Sequence, residues 1–345
     1  LILVPGIMAK ENWDDHDRSD RYTAPAFAKN FLNSCLPGGI MFTNGDNDTF
    51  PLWYIQEVEG VRTDVRIVNL SYLTADWYIE QMKQTFYDSY ALPISMTREQ
   101  YVQGSRDFAY LVDNAGVLIK EKYEVNRATY EEEVMGIYSE LLQVLENSLL
   151  QQNHANDYRA ILALEDNMDP LRLYSYMRTF NSEEIADRIQ LNKDEMNLLA
   201  GRMEGMIRRI DADHAPLKEA FAFLLSDDPR FQQGQYFIPA TKFVIPADSA
   251  SLAPWVVPEK SRDNLVEQVR FSISDQVLYK NMLTVLDLLG TNEWERPIYF
   301  STTVSSDNYL NLDPYFLREG MALRVAPVEY TNSSYLGKLD TDDMY

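Results

Sequence analysis

Residues 40–54, I-M-F-T-N-G-D-N-D-T-F-P-L-W-Y, decide how the rest of the chain is read. A short apolar run, G-I-M-F-T-N (39–44), has the length and composition of a buried strand. It empties into an acidic loop holding Asp46 and Asp48. Pro51 then stands where a helix's first turn tolerates proline, and Gly60 where a helix ends. Beyond it, D-V-R-I-V-N-L-S-Y-L (64–73) is a second β-branched run, and A-D-W-Y-I-E-Q-M-K-Q-T-F-Y-D-S-Y (75–90) reads as a second helix. Strand, helix, strand, helix at this spacing predicts a parallel βαβ unit.

Upstream, A-P-A-F-A-K-N-F-L-N-S-C-L (24–36) has helical periodicity and is stopped by Pro37-Gly38-Gly39. Residues 1–22 end in the polar tract N-W-D-D-H-D-R-S-D-R-Y and read as turn-forming. Downstream, R-D-F-A-Y-L-V-D (106–113) predicts a third strand. From about 126 to 225 every periodic segment is helical. Strand patterns return in T-K-F-V-I-P-A-D (241–248), V-E-Q-V-R-F-S-I-S (266–274), R-P-I-Y-F-S-T-T (296–303) and, as one last strand, L-R-E-G-M-A-L-R-V-A-P-V-E (317–329). K-N-M-L-T-V-L-D-L-L-G-T-N (280–292) is helical between them. The expected class is α/β: a Rossmann-like, mostly parallel sheet flanked by helices, with a large all-helical insertion. The α/β domain would occupy 1–125 and 226–345 around an insertion at 126–225, its two parts closing one sheet.

Composition narrows the function. The 345 residues carry 31 Lys and Arg against 53 Asp and Glu, a net charge of −22. Such a chain lacks the basic face that nucleic acid or an anionic bilayer requires. A single cysteine, Cys35, allows no internal disulfide and no cysteine zinc site, and its helical spacing predicts a buried apolar role. His16, His154 and His214 are scattered, so a multi-histidine metal site is not expected. The motifs of a nucleophile elbow, a P-loop or a dinucleotide fold are missing from the sequence. No apolar run is long enough to span a bilayer. The opening L-I-L-V-P-G-I is too short for a signal peptide and reads as the end of a longer segment.

In a parallel sheet, ligands bind beyond the strands' carboxyl ends. Asp46, Asn47 and Asp48 lie at one such end, with Asn69 and Ser71 at the next, so the two loops should be neighbours. Two carboxylates repel phosphate. They suit instead a divalent cation held by hard oxygens at Asp46 and Asp48, or a polyol whose hydroxyls donate to them. The competing reading is structural: Asp48 or Thr49 caps the helix and Gly45 permits a tight turn. Asp14, Asp15, His16 and Arg18 could fold over the cleft, with His16 as a base and Arg18 as an anion clamp, or form a solvated turn. Trp294 and Arg296 read as core packing with a buried ion pair. Some of the 22 tyrosines and 5 tryptophans could supply sugar-stacking platforms.

Three blocks carry a family resemblance: 12–34 (N-W-D-D-H-D-R-S-D-R-Y-T-A-P-A-F-A-K-N-F-L-N-S), 42–71 (beginning F-T-N-G-D-N-D-T-F-P) and 288–303 (L-L-G-T-N-E-W-E-R-P-I-Y-F-S-T-T) with 317–328. Together they resemble the soluble C-terminal portion of a Bacteroidetes family of large membrane proteins, once a domain of unknown function. That family is glycosyltransferase family 117-like and related to the protein O-mannosyltransferases. The resemblance implies an extracytoplasmic (periplasmic) domain at the inner membrane, tethered to the protein's own membrane-embedded N-terminal region. That region would hold the catalytic carboxylate and use a polyprenyl-phosphate sugar. The end at Tyr345 fits a chain that continues into a helical, repeat-like region. The first expectation is thus an accessory domain that meets a glycan or polypeptide acceptor and is not catalytic alone. The alternatives are a metal-assisted hydrolase or transferase using the acidic loops, and a purely structural module.

Overall fold

The runs Ile40–Thr43 and Arg66–Asn69 pair in parallel in the computed structural model, Ile40 opposite Arg66 and Thr43 opposite Asn69. The structure describes residues 2–17, 19–113, 116–227, 235–330 and 338–340, excluding the side chains of His16 and of 338–340. In chain order, α1 (Leu3–His16) and α2 (Thr23–Asn33) precede β1 (Ile40–Thr43). Then come α3 (Asp46–Glu59), β2 (Arg66–Asn69), α4 (Asp76–Met82), α5 (Arg98–Tyr101) and β3 (Phe108–Leu111).

Two of these elements differ from expectation. The tract 1–22 is helical over Leu3–His16, as α1, and turns only beyond it, where Asp17 accepts from the Ser19 amide and hydroxyl; residues from Ile2 to Asp15 are all exposed. The helix expected over 75–90 stops at Met82, because the following loop is tied elsewhere. Asp287 accepts from the Ser95 amide (2.8 Å), the Ser95 hydroxyl (2.5 Å) and the Met96 amide (3.2 Å). Asp287 is fully buried, and burial pushes its carboxyl up to about 6 against the pull of those donors. A carboxyl raised in the fold stabilises most below its unfolded value, and that contribution fades as pH rises through about 6. Wild type should therefore lose about 2 kcal/mol relative to Asp287→Asn between pH 4 and pH 7.5. Urea denaturation of both proteins at the two pH values reads this difference. A gap that does not change with pH would refute it.

The next seven helices are α6 (Ile119–Val125), α7 (Arg127–Glu146), α8 (Leu150–Asn153), α9 (Ala155–Leu162), α10 (Pro170–Phe180), α11 (Glu183–Arg188) and α12 (Lys193–Asp211). Their apolar faces meet each other in a cluster that includes Tyr138, Leu141, Met177 and Met203. The buried Lys122 ties the first to the last, donating to the Asp211 carbonyl at 2.6 Å.

Beyond them lie β4 (Ala215–Pro216), α13 (Leu217–Leu225), β5 (Phe237–Ile238), β6 (Lys242–Pro246), β7 (Gln268–Ser272) and β8 (Val277–Tyr279). The chain continues with α14 (Lys280–Thr291), β9 (Ile298–Ser301), β10 (Phe316–Glu319), β11 (Ala322–Val325) and β12 (Lys338–Asp340). These strands make three sheets, not one. Six are ordered β12-β10-β11-β9-β1-β2, and two smaller sheets are ordered β5-β3-β8 and β4-β6-β7. Only β9, β1 and β2 form the expected parallel block. The run 317–329 is not a single strand: Gly320, at φ +56°, turns it into the antiparallel hairpin β10–β11. The fold is mixed α/β, and the Rossmann-like pattern is confined to this three-stranded block.

Both faces of that block are covered, which is why its strands are buried at every position and not at alternate ones. Met41, Ile67 and Tyr299 pack against α2 and α3. Ile40, Phe42, Val68, Ile298 and Phe300 share a core with α4 and α14. Successive helices therefore lie on opposite faces either side of β1, so the carboxyl ends of β1 and β9 are where an open sheet of this kind has its crevice. Cys35 is buried among the first group, and burial raises its thiol.

Among the described residues, Arg296 makes no ion pair of the expected kind. Arg296 donates to the Gly38 carbonyl (2.7 Å), the Tyr90 carbonyl (3.1 Å) and the Ser89 hydroxyl (3.1 Å). Trp294 Nε1 donates to the Pro246 carbonyl at 2.8 Å. Carbonyls at chain turns hold this guanidinium in place of a carboxylate.

Candidate functional site

The acidic loop is the first turn of α3. Gly45 is extended (φ −140°, ψ −170°) and caps the helix, which begins at Asp46, five residues before the expected Pro51. Asp48, the third helical residue, folds back so that Gly45 N–H donates to its Oδ1 (3.0 Å) and Asn44 N–H to its Oδ2 (3.1 Å). Pro51 sits inside the helix. Its missing N–H costs the helix one backbone bond there, beyond the first turn. Gly60, at φ +65°, ends the helix with its N–H on the Gln56 carbonyl (3.1 Å).

Asp48 is 4% exposed. Thr303, just past the end of β9, donates its hydroxyl to Oδ2 at 2.7 Å, and Ser301 and Thr303 hydroxyls lie 2.5 Å apart. With Thr303 committed as donor to the carboxylate, Ser301 is the donor to Thr303. The resulting chain, Ser301 to Thr303 to Asp48, runs across the crevice between β9 and β1. The structure thus fills with hydrogen bonds the position where an open parallel sheet admits a ligand.

A second set of bonds joins β1 to β2. Thr43 and Thr49 hydroxyls are 2.8 Å apart, and Asn69 Nδ2 donates to Thr49 at 2.8 Å. Asn69 Oδ1 accepts from Tyr72 N–H (3.1 Å), and the Asn69 amide donates to the Tyr78 hydroxyl (2.9 Å). Ser71 donates its hydroxyl to the Asn44 carbonyl (2.8 Å). The loops after β1 and β2 are therefore in contact, and Asn69 is buried while Ser71 is exposed.

Asp46 and Asn47 stand exposed on the helix's first turn, above Asp48. Residues two apart on a helix do not share a face. Asp46 and Asp48 accordingly do not converge: one faces solvent and the other the interior. Among the described residues, no group of three or more His, Cys, Asp and Glu side chains is placed to hold a metal ion. Asp14 and Asp15 lie on the exposed last turns of α1, outside the network just described. The His16 side chain and Arg18 lie outside the described residues. Sequence reasoning missed Ser301 and Thr303. Their signal was the hydroxyl run S-T-T at the end of a buried strand.

A family model described as TMEM260-associated domain 2 matches residues 24–343. No solved structure matches the chain.

Proposed function

The chain belongs to the TMEM260-associated domain 2 family, and from that premise we propose that it is the extracytoplasmic domain of a polytopic, protein O-mannosyltransferase-like membrane glycosyltransferase of the family 117 kind. Its task is to receive the acceptor, glycan or polypeptide, while the membrane-embedded region of the same protein performs the transfer. The family match carries this reading. No helix of the described residues is long and apolar enough to cross a membrane.

The crevice supports the accessory role. A general acid or base must exchange protons with a reacting group. Asp48 has both oxygens engaged by its own loop and by Thr303. A cation bound by both Asp46 and Asp48 would have to break those bonds, which makes the metal-assisted alternative the weaker one. Asp46, Asn47 and Ser71 remain at the rim, with oxygens and an amide suited to the hydroxyls and peptide groups of an acceptor.

Two assays test this. The 345-residue chain, given a polyprenyl-phosphate mannose and an acceptor peptide, should give no transfer. In the full-length protein, Asp46→Ala/Asn47→Ala/Ser71→Ala should raise the acceptor KM about tenfold with kcat retained, the pattern of lost uniform binding. Transfer by the chain alone, or turnover that depends on added Mg²⁺ or Mn²⁺ and disappears in Asp46→Asn, would return the enzyme reading.

A further inference from the structure

The strand β2 is at the open edge of the six-stranded sheet, and a cavity of about 290 Å³ lies along it, between α3 and α4. Aromatic rings dominate its walls. Trp53 of α3 stacks on Tyr72 (6.0 Å between centroids, 29°), and Tyr72 adjoins Trp77 of α4 (6.1 Å). Phe86 and Tyr87 face them from the following loop. Trp77 is 62% exposed, an arrangement that leaves a large apolar surface uncovered at the cavity mouth.

Arg66, from β2, forms part of the same wall and is 4% exposed. Two of its nitrogens are used: Nε donates to the Ser89 hydroxyl (3.3 Å) and Nη2 to the carbonyls of Gln84 and Ser89 (2.9 Å each). Nη1 is buried and has no acceptor among the described residues. A buried donor without an acceptor is costly, and here the Phe86 ring lies over the guanidinium, 5.9 Å from its central carbon. The neighbouring charged group is a second guanidinium, Arg296, bonded to the same Ser89 hydroxyl. At the rim, Glu57 accepts from the Tyr87 hydroxyl at 2.7 Å.

We propose that this cavity binds a neutral pyranose ring of a glycan, stacked against the tryptophans, with a ring hydroxyl donating to Glu57 at the rim. The C–H faces of a pyranose suit aromatic walls, and one ring matches the cavity's size. Phosphate or a uronate would meet Glu57 on the same wall, in a chain of net charge −22. An added peptide strand is disfavoured too. The Tyr78 hydroxyl accepts from Asn69 N–H (2.9 Å) and donates to the Ile67 carbonyl (3.4 Å), occupying edge groups that such a strand would need. Trp77 also walls a larger, shallower depression with Tyr279 and Lys280, over which further sugar units can continue.

This site deepens the acceptor-handling reading and rests on it for its place in the reaction, but its geometry is testable separately. Saturation-transfer NMR of the 345-residue chain would use methyl α-mannopyranoside and methyl β-glucopyranoside, with methyl β-glucuronide and inorganic phosphate as anionic probes. A neutral pyranoside should bind, at least about tenfold more weakly in Trp77→Ala. Exposed Trp77 can be removed without loss of fold, checked by an unchanged Tm. Tighter binding of either anion, no pyranoside binding, or affinity unchanged in Trp77→Ala overturns the site. The full-length protein separates the two claims. Pyranoside binding lost in Trp77→Ala with an unchanged acceptor KM keeps the site and overturns acceptor handling. No pyranoside binding, with an acceptor KM still raised by the rim variants, does the reverse.

Discussion

Arg324→Ala should destabilise the protein by about 3–5 kcal/mol, the usual result of leaving a buried charge without its partner. Arg324 of β11 is 1% exposed. Its Nε and Nη2 both reach Glu319 Oε1 at 2.7 Å, and Nη1 donates to the Val256 carbonyl at 2.7 Å. The other oxygen of Glu319 accepts from Tyr299 at 2.7 Å, and the Tyr299 hydroxyl in turn accepts from the Leu36 amide at 2.9 Å. One guanidinium thus joins the β10–β11 hairpin, β9, the segment around Val256 and the chain leaving α2. Truncation strands Glu319 in the interior and frees the Val256 carbonyl. Denaturant unfolding at pH 7 measures the loss. Replacing both partners by apolar residues of similar volume should recover a large part of it, because the intact pair is itself expensive to bury. A loss below about 1 kcal/mol in the single variant would mean that water reaches Glu319.

Asp48→Ala should cost about 3 kcal/mol, more than an ordinary helix cap. Four donors, the amides of Asn44 and Gly45 and the hydroxyls of Thr303 and, at 3.4 Å, Thr49, lose an acceptor in a buried place. Asp48→Asn keeps one acceptor oxygen and should fall between, at about 1–2 kcal/mol. Asp46→Ala, on the exposed side of the same turn, should stay within about 0.5 kcal/mol. Thermal and urea unfolding of the three variants give the ranking. If Asp48→Ala were as stable as wild type, the carboxylate would be a group held ready for a ligand, and the scaffold reading of the crevice would fall.

The parallel block was legible because both its faces are buried. Ile40–Phe42, Ile67–Val68 and Ile298–Phe300 are uninterrupted apolar runs, and such runs leave little choice of structure. The hairpin at 316–325 was not legible, since its two strands continue one apolar pattern and only the left-handed Gly320 divides them. α1 was hidden by its acidic residues, which resemble a turn when no buried face marks the helix. In the crevice, the strand ends placed Asp48, Asn69 and Ser71 together, as their positions in the sequence required. The bond from Thr303 to Asp48 spans 255 residues, and no local pattern reports a contact of that range. The aromatic cavity depends on β2 being an edge strand. That follows from the order of strands in the whole sheet, which the residues of β2 do not encode.

That same separation sets a timetable for synthesis. β1 and β2 are made close together and pair with each other, but the strand that completes β1 on its other side, β9, is made only after α14. In between, the helices from α6 to α12 are made, and their apolar faces close on one another through contacts local to that segment. Local contacts form fast and distant ones slowly. The growing polypeptide therefore carries a finished helical body beside a two-stranded ribbon whose β1 edge awaits β9 and whose Phe42 face awaits α14. Such an edge is the kind that recruits other chains. Whatever accompanies this protein off the ribosome has one interval to guard, from the appearance of β2 to that of β9.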